Sequence, residues 1–140
     1  MKIFQASTHI HAEAQDIWAI LMDASSYQEW DPTCERIEGT IEKGNTIKAY
    51  STLSPGKAFP VKVAALNAPQ TMVWTAGMPL GLFKGERTFT LTPHPDGGTT
   101  VEVKEVFTGL LLGLIGSKLP DLSEPFELFV RGLKKRAEAT

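Results

Sequence analysis

Hydrophobic and polar positions alternate from Lys2 to Ile10, where Phe4, Ala6, Thr8 and Ile10 share one face and the opposite face is mostly polar. A period of two predicts a first β-strand. The next stretch, AEAQDIWAILMD, places Ile17, Ile20 and Leu21 at helical spacing with acidic residues early, and Asp23 is positioned to cap a second short helix through Ser26 to Glu29. From Cys34 onward the period returns to two. Glu35–Gly39, Thr46–Leu53, Phe59–Leu66, Thr71–Ala76, Leu82–Thr92 and Thr99–Thr108 read as six further strands. The breaks between them, EKGN, SPGK, NAPQ, GMPLG and HPDGG, hold the Gly, Pro and Asn residues of tight antiparallel connections, so a meander is expected rather than parallel crossovers. At the end of the chain Phe126, Phe129, Val130, Leu133 and Ala137 recur at helical spacing, with Lys134, Lys135 and Arg136 where cations suit the helix dipole. Pro125 belongs in a first turn, and either Asp121 or Ser123 can cap this terminal helix.

The order is strand, two helices, six strands and a long helix, an α+β arrangement. A twisted seven-stranded antiparallel sheet must cover its apolar face with that last helix. A strongly curved sheet gripping one helix leaves a space between them.

The last strand carries an anomaly. In TTVEVKEVFTG the side chains of Val101, Val103, Glu105 and Phe107 point one way, and Glu105 is the one carboxylate on that apolar face. The turn HPDGG explains it. A short loop over Pro95, Asp96 and Gly97 pairs residues whose numbers sum to about 192, so Phe89 faces Val103, Leu91 faces Val101, and Arg87 stands opposite Glu105. A slip of one residue would turn both apolar sets outward. The expected arrangement is an inward cross-strand ion pair, which the arginine fork suits. Two roles are open to it: a buried salt bridge that shapes the interior, or the polar anchor of an apolar small-molecule cavity. Truncating Arg87 would cost on the order of 3–5 kcal/mol in a dry core and far less beside a solvated cavity. The same register brings the loop GMPLGLF and the segment GLLLGLIG to one end of the sheet, where Met78, Leu80, Leu82, Leu110, Leu111, Leu112, Leu114 and Ile115 form an apolar rim. Such a rim serves as an entrance, a partner surface or a membrane contact, or folds back onto the core.

Composition narrows the class. The 140 residues are 42% hydrophobic, enough for one domain spanning 1–140 that buries roughly two thirds of its unfolded surface. With a net charge of -2 and no run among the 14 basic residues, nucleic acid is not an expected partner. The start MKIFQASTHIHAE turns polar within a few residues and offers no recognisable secretory signal, so a cytoplasmic location is expected. The longest apolar run, Leu110–Ile115 with Gly113 within it, is far below the roughly 20 residues of a membrane span. Cys34 is the one cysteine, which rules out an internal disulfide and a thiolate metal cage. His9 and His11 lie on the polar face of the first strand and His94 in a turn, so neither a metal site nor a cofactor is expected. Neither a GxSxG elbow, a phosphate loop nor a GxGxxG fingerprint occurs. Trp18, Trp30 and Trp74 are read as core or cavity wall, and Tyr50 as a further polar cavity contact or a residue with its hydroxyl turned outward.

Two segments carry a family resemblance. DIWAILMDASSYQEWDP resembles the early helical signature of the START-like, Bet v 1-like superfamily, in particular its polyketide cyclase/dehydrase and lipid-transport group, and GLFKGERTFTLTPHPDGGTTVEVKEVFTGLL is similar to the last hairpin of that group. The resemblance covers nearly the full chain. It implies a helix-grip fold with a cavity between sheet and C-terminal helix, used in various members for hydrophobic ligands, lipids, polyketide cyclisation or protein contacts. Glu105 and Phe107 match the ending of the group's last strand, whereas Arg87 stands where close relatives often show histidine. That departure counts against acid/base chemistry there, because arginine keeps its proton.

The expected function is binding or transport of a small hydrophobic molecule, lined by Phe4, Tyr50, Trp74, Arg87, Phe89, Glu105, Phe126, Phe129 and Val130 and entered past Met78, Leu80, Leu82, Leu111 and Leu114. The alternatives are a cyclase or dehydratase in which Glu105 moves a proton, which a facing guanidinium disfavours, and an interaction module or homodimer that uses the apolar rim.

Overall fold

The computed structural model describes residues 1–115, 119 and 121–139. Strand β1 (Lys2–Ile10) leads into helix α1 (Ala14–Met22), a single 3-10 turn (Ala24–Ser26) and the short α2 (Tyr27–Trp30). Six strands follow: β2 (Cys34–Glu38), β3 (Thr46–Ser51), β4 (Ala58–Asn67), β5 (Thr71–Met78), β6 (Phe83–Pro93) and β7 (Thr99–Thr108). The one-turn α3 (Leu112–Ile115) and the long α4 (Ser123–Glu138) complete the described chain. The strands form one antiparallel sheet in the order β1-β7-β6-β5-β4-β3-β2, so the first strand closes beside the last. This is the α+β sheet-and-helix order expected from the alternation pattern and the helix-grip fold that the resemblance implies.

Strand ends move where local hydrogen bonds decide. β3 stops at Ser51 rather than Leu53, because the Ser51 carbonyl accepts the Ser54 N–H and its hydroxyl accepts the Leu53 N–H, which starts a turn. β5 runs on to Met78 because pairing with β6 continues to Met78 opposite Phe83. At the helical corner, the Asp23 carboxylate accepts both the Ser25 N–H and the Ser25 hydroxyl and so caps the 3-10 turn rather than the expected Ser26–Glu29 helix, because α2 starts only at Tyr27, after that turn. Asp121, rather than Ser123, supplies the side-chain acceptor at the start of α4, taking the Ser123 N–H at 2.9 Å.

The sheet's inner face and α4 share the core. Phe126, Phe129, Val130, Leu133 and Ala137 are buried along one side of α4, and Phe129 meets Trp30 and Phe89 ring to ring at 5.2 and 5.6 Å between centroids. The C-terminal half of α4 is also tied by polar contacts. Lys134 Nζ donates to the His9 carbonyl at 2.7 Å, Glu138 accepts the His11 N–H at 2.8 Å, and Arg136 reaches Glu29 at 2.8 Å. Among the described residues no helix is long and apolar enough to cross a membrane.

Gly132 sets the approach of α4 to α2. A Cβ there would fall onto the Trp30 carbonyl oxygen and within 3.4 Å of Pro32 Cδ. Alanine is the better helix former by about 1 kcal/mol, but the obstacle is backbone and cannot rotate away. Gly132→Ala is therefore expected to lose about 1–3 kcal/mol, read from the urea midpoint; a gain in stability would show that α4 is free to shift.

Candidate functional site

One rung of the sheet organises the interior. Phe4 of β1 pairs with Glu105 of β7, Glu105 with Arg87 of β6, Arg87 with Trp74 of β5, and Trp74 with Val63 of β4, so all five side chains share the inner face. Beside this rung a pocket of about 440 Å³ opens between the sheet and the first half of α4. Ile37, Ala49, Phe59, Val61, Phe83 and Phe107 supply much of its apolar wall, and Leu122, Pro125, Phe126 and Phe129 face them from the helix side.

The pocket has a polar end. Arg87 Nε donates to Glu105 Oε1 at 2.7 Å, with the arginine side chain 31% exposed and the carboxylate 13%. The guanidinium lies 4.9 Å from the centre of the Phe126 ring, a cation–π contact. The sequence KGERTF makes room for this pair, since a Cβ on Gly85 would meet Glu105 Oε2 at 2.9 Å and the Phe107 ring at 3.1 Å. Asp31, which closes α2, is 6% exposed and faces the same space. Its Oδ1 accepts both the backbone N–H and the hydroxyl of Thr33, at 2.9 and 2.7 Å, in an Asx turn. Burial raises the Asp31 carboxyl above its ordinary range, and the Thr33 hydrogen bonds and the Arg87 charge only partly offset it. Tyr27 is pushed well above its ordinary value by burial, then by Asp31, and its hydroxyl is spent on the Leu21 carbonyl at 2.6 Å. Burial likewise pushes the Cys34 thiol up to about 12, far from the thiolate a nucleophile needs. Trp74 completes this end with an indole N–H that is buried and has no hydrogen-bond partner among the described residues.

Of the residues singled out from sequence, Tyr50, Trp74, Arg87, Glu105, Phe126 and Phe129 line the pocket. Tyr50 does so with its hydroxyl turned away: it donates to Glu38 at 3.0 Å, and its ring lies beneath the Arg36 guanidinium at 3.7 Å. Phe4, Phe89 and Val130 are not among the lining residues. Phe4 packs edge-on against Phe107, Phe89 is held between Trp74 and Phe129, and Val130 is buried on α4. Their alternation and helical spacing identify the inner face correctly but do not distinguish filled interior from open pocket. The rim side chains Met78, Leu80, Leu110 and Leu114 are exposed at the β5–β6 end, and Leu82 and Leu111 are half-buried with their backbones joined at 2.8 Å. None of the expected entrance residues, Met78, Leu80, Leu82, Leu111 and Leu114, lines the pocket itself. Leu112 packs on the core, and the Ile115 side chain lies outside the described residues. Asp31, Thr33, Cys34 and Gly85 are pocket residues that sequence reasoning passed over; the signal for Asp31 was its place in EWDPT, an Asx-turn sequence at the end of a helix that packs on the sheet.

At the far end of β1 the His9 ring lies 5.0 Å from that of His11 and 5.3 Å from that of His94, with Asp96 Oδ2 3.8 Å from His9 Nε2. Among the described residues no group of three or more His, Cys, Asp or Glu side chains is placed to hold a metal ion.

The family model described as polyketide cyclase / dehydrase and lipid transport matches residues 1–138. The chain belongs to that family. No curated protein matches it in sequence. Similar solved structures include a START superfamily protein from Mycobacterium smegmatis, 17% identical, with a TM-score of 0.73 over 98% of this chain and 97% of that one. The Zhui aromatase/cyclase from Streptomyces sp. R1128 is 13% identical, with a TM-score of 0.75 over 98% and 93% of the two chains. A truncated norcoclaurine synthase from Thalictrum flavum is 14% identical, with a TM-score of 0.71 over 96% and 92%. At these identities the polyketide cyclase/dehydrase and lipid transport family member shares their fold.

The Asp31 shift has a signed consequence. A carboxyl whose folded pKa lies above its unfolded value stays protonated in the fold while the unfolded chain ionises, so stability falls as pH rises between the two values. Asparagine keeps the acceptor for Thr33 and has no proton to lose. The melting temperature of Asp31→Asn relative to wild type is expected to climb as pH is raised from about 4 to about 7; a flat difference would contradict the raised value.

Proposed function

We propose that this family member binds and carries a small hydrophobic molecule in the pocket between the sheet and α4. The observation that carries the reading is a contrast within one sheet face. Around Ile10, Leu91, Val101 and Leu133 the interior is filled and the side chains are essentially inaccessible. Around Ile37, Ala49, Val61 and Phe83 apolar groups of the same kind face open space. Side chains lining a void forgo the contacts that close packing supplies, and an apolar guest restores them. The volume falls within the usual range for small-molecule sites, and a few polar groups gathered at one end of an apolar wall are the usual arrangement there. The family description, which joins cyclase, dehydrase and lipid transport, supports the same class of ligand. On this reading Arg87 and Glu105 orient the guest, Trp74, Phe126 and Phe129 pack against it, and the exposed rim leads to it; a homodimer formed through that rim and a cytoplasmic location are compatible with it.

Proton transfer in the same pocket is the second reading, and Asp31 is what favours it. A buried carboxyl whose pKa burial raises above its ordinary range is the kind of group suited to general acid catalysis, whereas Glu105 is committed to Arg87.

Filling the pocket tests the first reading. Ala49→Phe places a ring against Val61 and Ile37, and is expected to weaken binding of the neutral dye Nile red by about tenfold or more while leaving the melting temperature unchanged or higher. Undiminished dye binding in a folded variant would remove the pocket from the proposal.

A further inference from the structure

The polar end of the pocket specifies what kind of polar group the guest carries, an inference that rests on the carrier reading above. Of the arginine's five N–H donors, only Nε–H has a protein acceptor among the described residues, namely Glu105 Oε1. The two terminal nitrogens of Arg87, in a side chain that borders the pocket, have no hydrogen-bond partner among the described residues. The Trp74 indole N–H also lacks a partner among the described residues, but it is sealed from the pocket and is not open to a guest. The acceptors are accounted for differently. Glu105 Oε1 is taken by Arg87 and Asp31 Oδ1 receives two hydrogen bonds from Thr33, while the second oxygen of each carboxylate keeps its negative character toward the pocket. The donors open to a guest are the terminal N–H groups of Arg87, and they call for an acceptor.

Charge decides which acceptor. The Arg87 cation already has its counter-anion in Glu105, so the pair presents donors without net positive charge. Asp31 adds either nothing or a further negative charge, depending on its protonation. An incoming carboxylate would give up its hydration beside one or two carboxylates and gain no uncompensated cation. A carbonyl oxygen accepts the same N–H groups without that penalty.

We infer that the guest is an apolar molecule whose inner end is a neutral carbonyl, received by the terminal N–H groups of Arg87, and that free fatty-acid carboxylates are excluded.

Displacement of Nile red from the wild-type protein near neutral pH by three probes of matched length tests this: methyl nonyl ketone, its analogue with C=CH2 in place of C=O, and undecanoate. Hydrophobicity alone ranks the alkene first, so the expected order, ketone ahead of alkene by about tenfold and undecanoate last, reads the acceptor directly. Arg87→Met should remove the advantage of the ketone and leave the alkene where it was. Glu105→Gln, which releases the arginine's charge, should bring undecanoate up by about tenfold. An alkene or undecanoate that binds as well as the ketone in wild type overturns the carbonyl assignment and leaves the carrier reading standing. Failure of the dye and all three probes to bind overturns both.

Discussion

Pairing of β6 with β7 in the register that sets Arg87 beside Glu105 is the constraint on which the rest of the interior depends. The tight turn after Pro93, closed by a hydrogen bond from the His94 N–H to the Gly98 carbonyl at 2.8 Å, starts the count, and each rung outward follows from it. Because side chains alternate, the register that brings the ion pair inward also brings in Phe89, Leu91, Val101 and Val103, and a shift of one residue would expose them all. Packing and electrostatics thus agree on one alignment. The ion pair itself sits at the margin of the pocket, with the arginine partly exposed, so it is neither a dry buried bridge nor a surface contact.

The molecule divides along the sheet. At the β1 end, α1 and the second half of α4 cover Ile10, Leu91 and Val101, whose side chains are shut off from solvent. Toward β2 and β3 the covering is thinner, and the pocket occupies the difference. Polar groups near the pocket are largely spoken for by neighbours close in sequence: Asp31 by Thr33, Tyr27 by Leu21 and the Trp30 indole by Ser26. What has no partner among the described residues, the ends of the Arg87 guanidinium and the buried Trp74 N–H, is concentrated on β5 and β6.

The legibility of the sequence follows the same division. Strand and helix identity, the β6–β7 register and the Arg87–Glu105 pair could be read because each rests on short-range periodicity or on one tight turn. The buried stripe of α4 could be read for the same reason. Which inward residues border open space could not: Phe89 and Trp74 occupy equivalent inner-face positions, yet one is enclosed by rings and the other forms pocket wall. That difference depends on where α4 crosses the sheet, a long-range property set in part by Gly132 against Trp30. Asp31 was hidden for a related reason, since an acidic residue before proline at a helix end is read as surface until the helix is docked.

The fastening of α4 is uneven. Lys134, Arg136 and Glu138 bind its last turns to β1 and α2, and Gly132 locks against a backbone carbonyl, whereas its first turn, from Ser123 through Phe126, has the pocket on one side. A rod clamped at one end yields at the other. If the pocket carries a guest as proposed, a small swing of the Pro125–Phe126 end about a pivot near Gly132 would admit it with no slippage of the sheet, and amide hydrogen exchange along this helix should quicken from its C-terminal half toward its N-terminus.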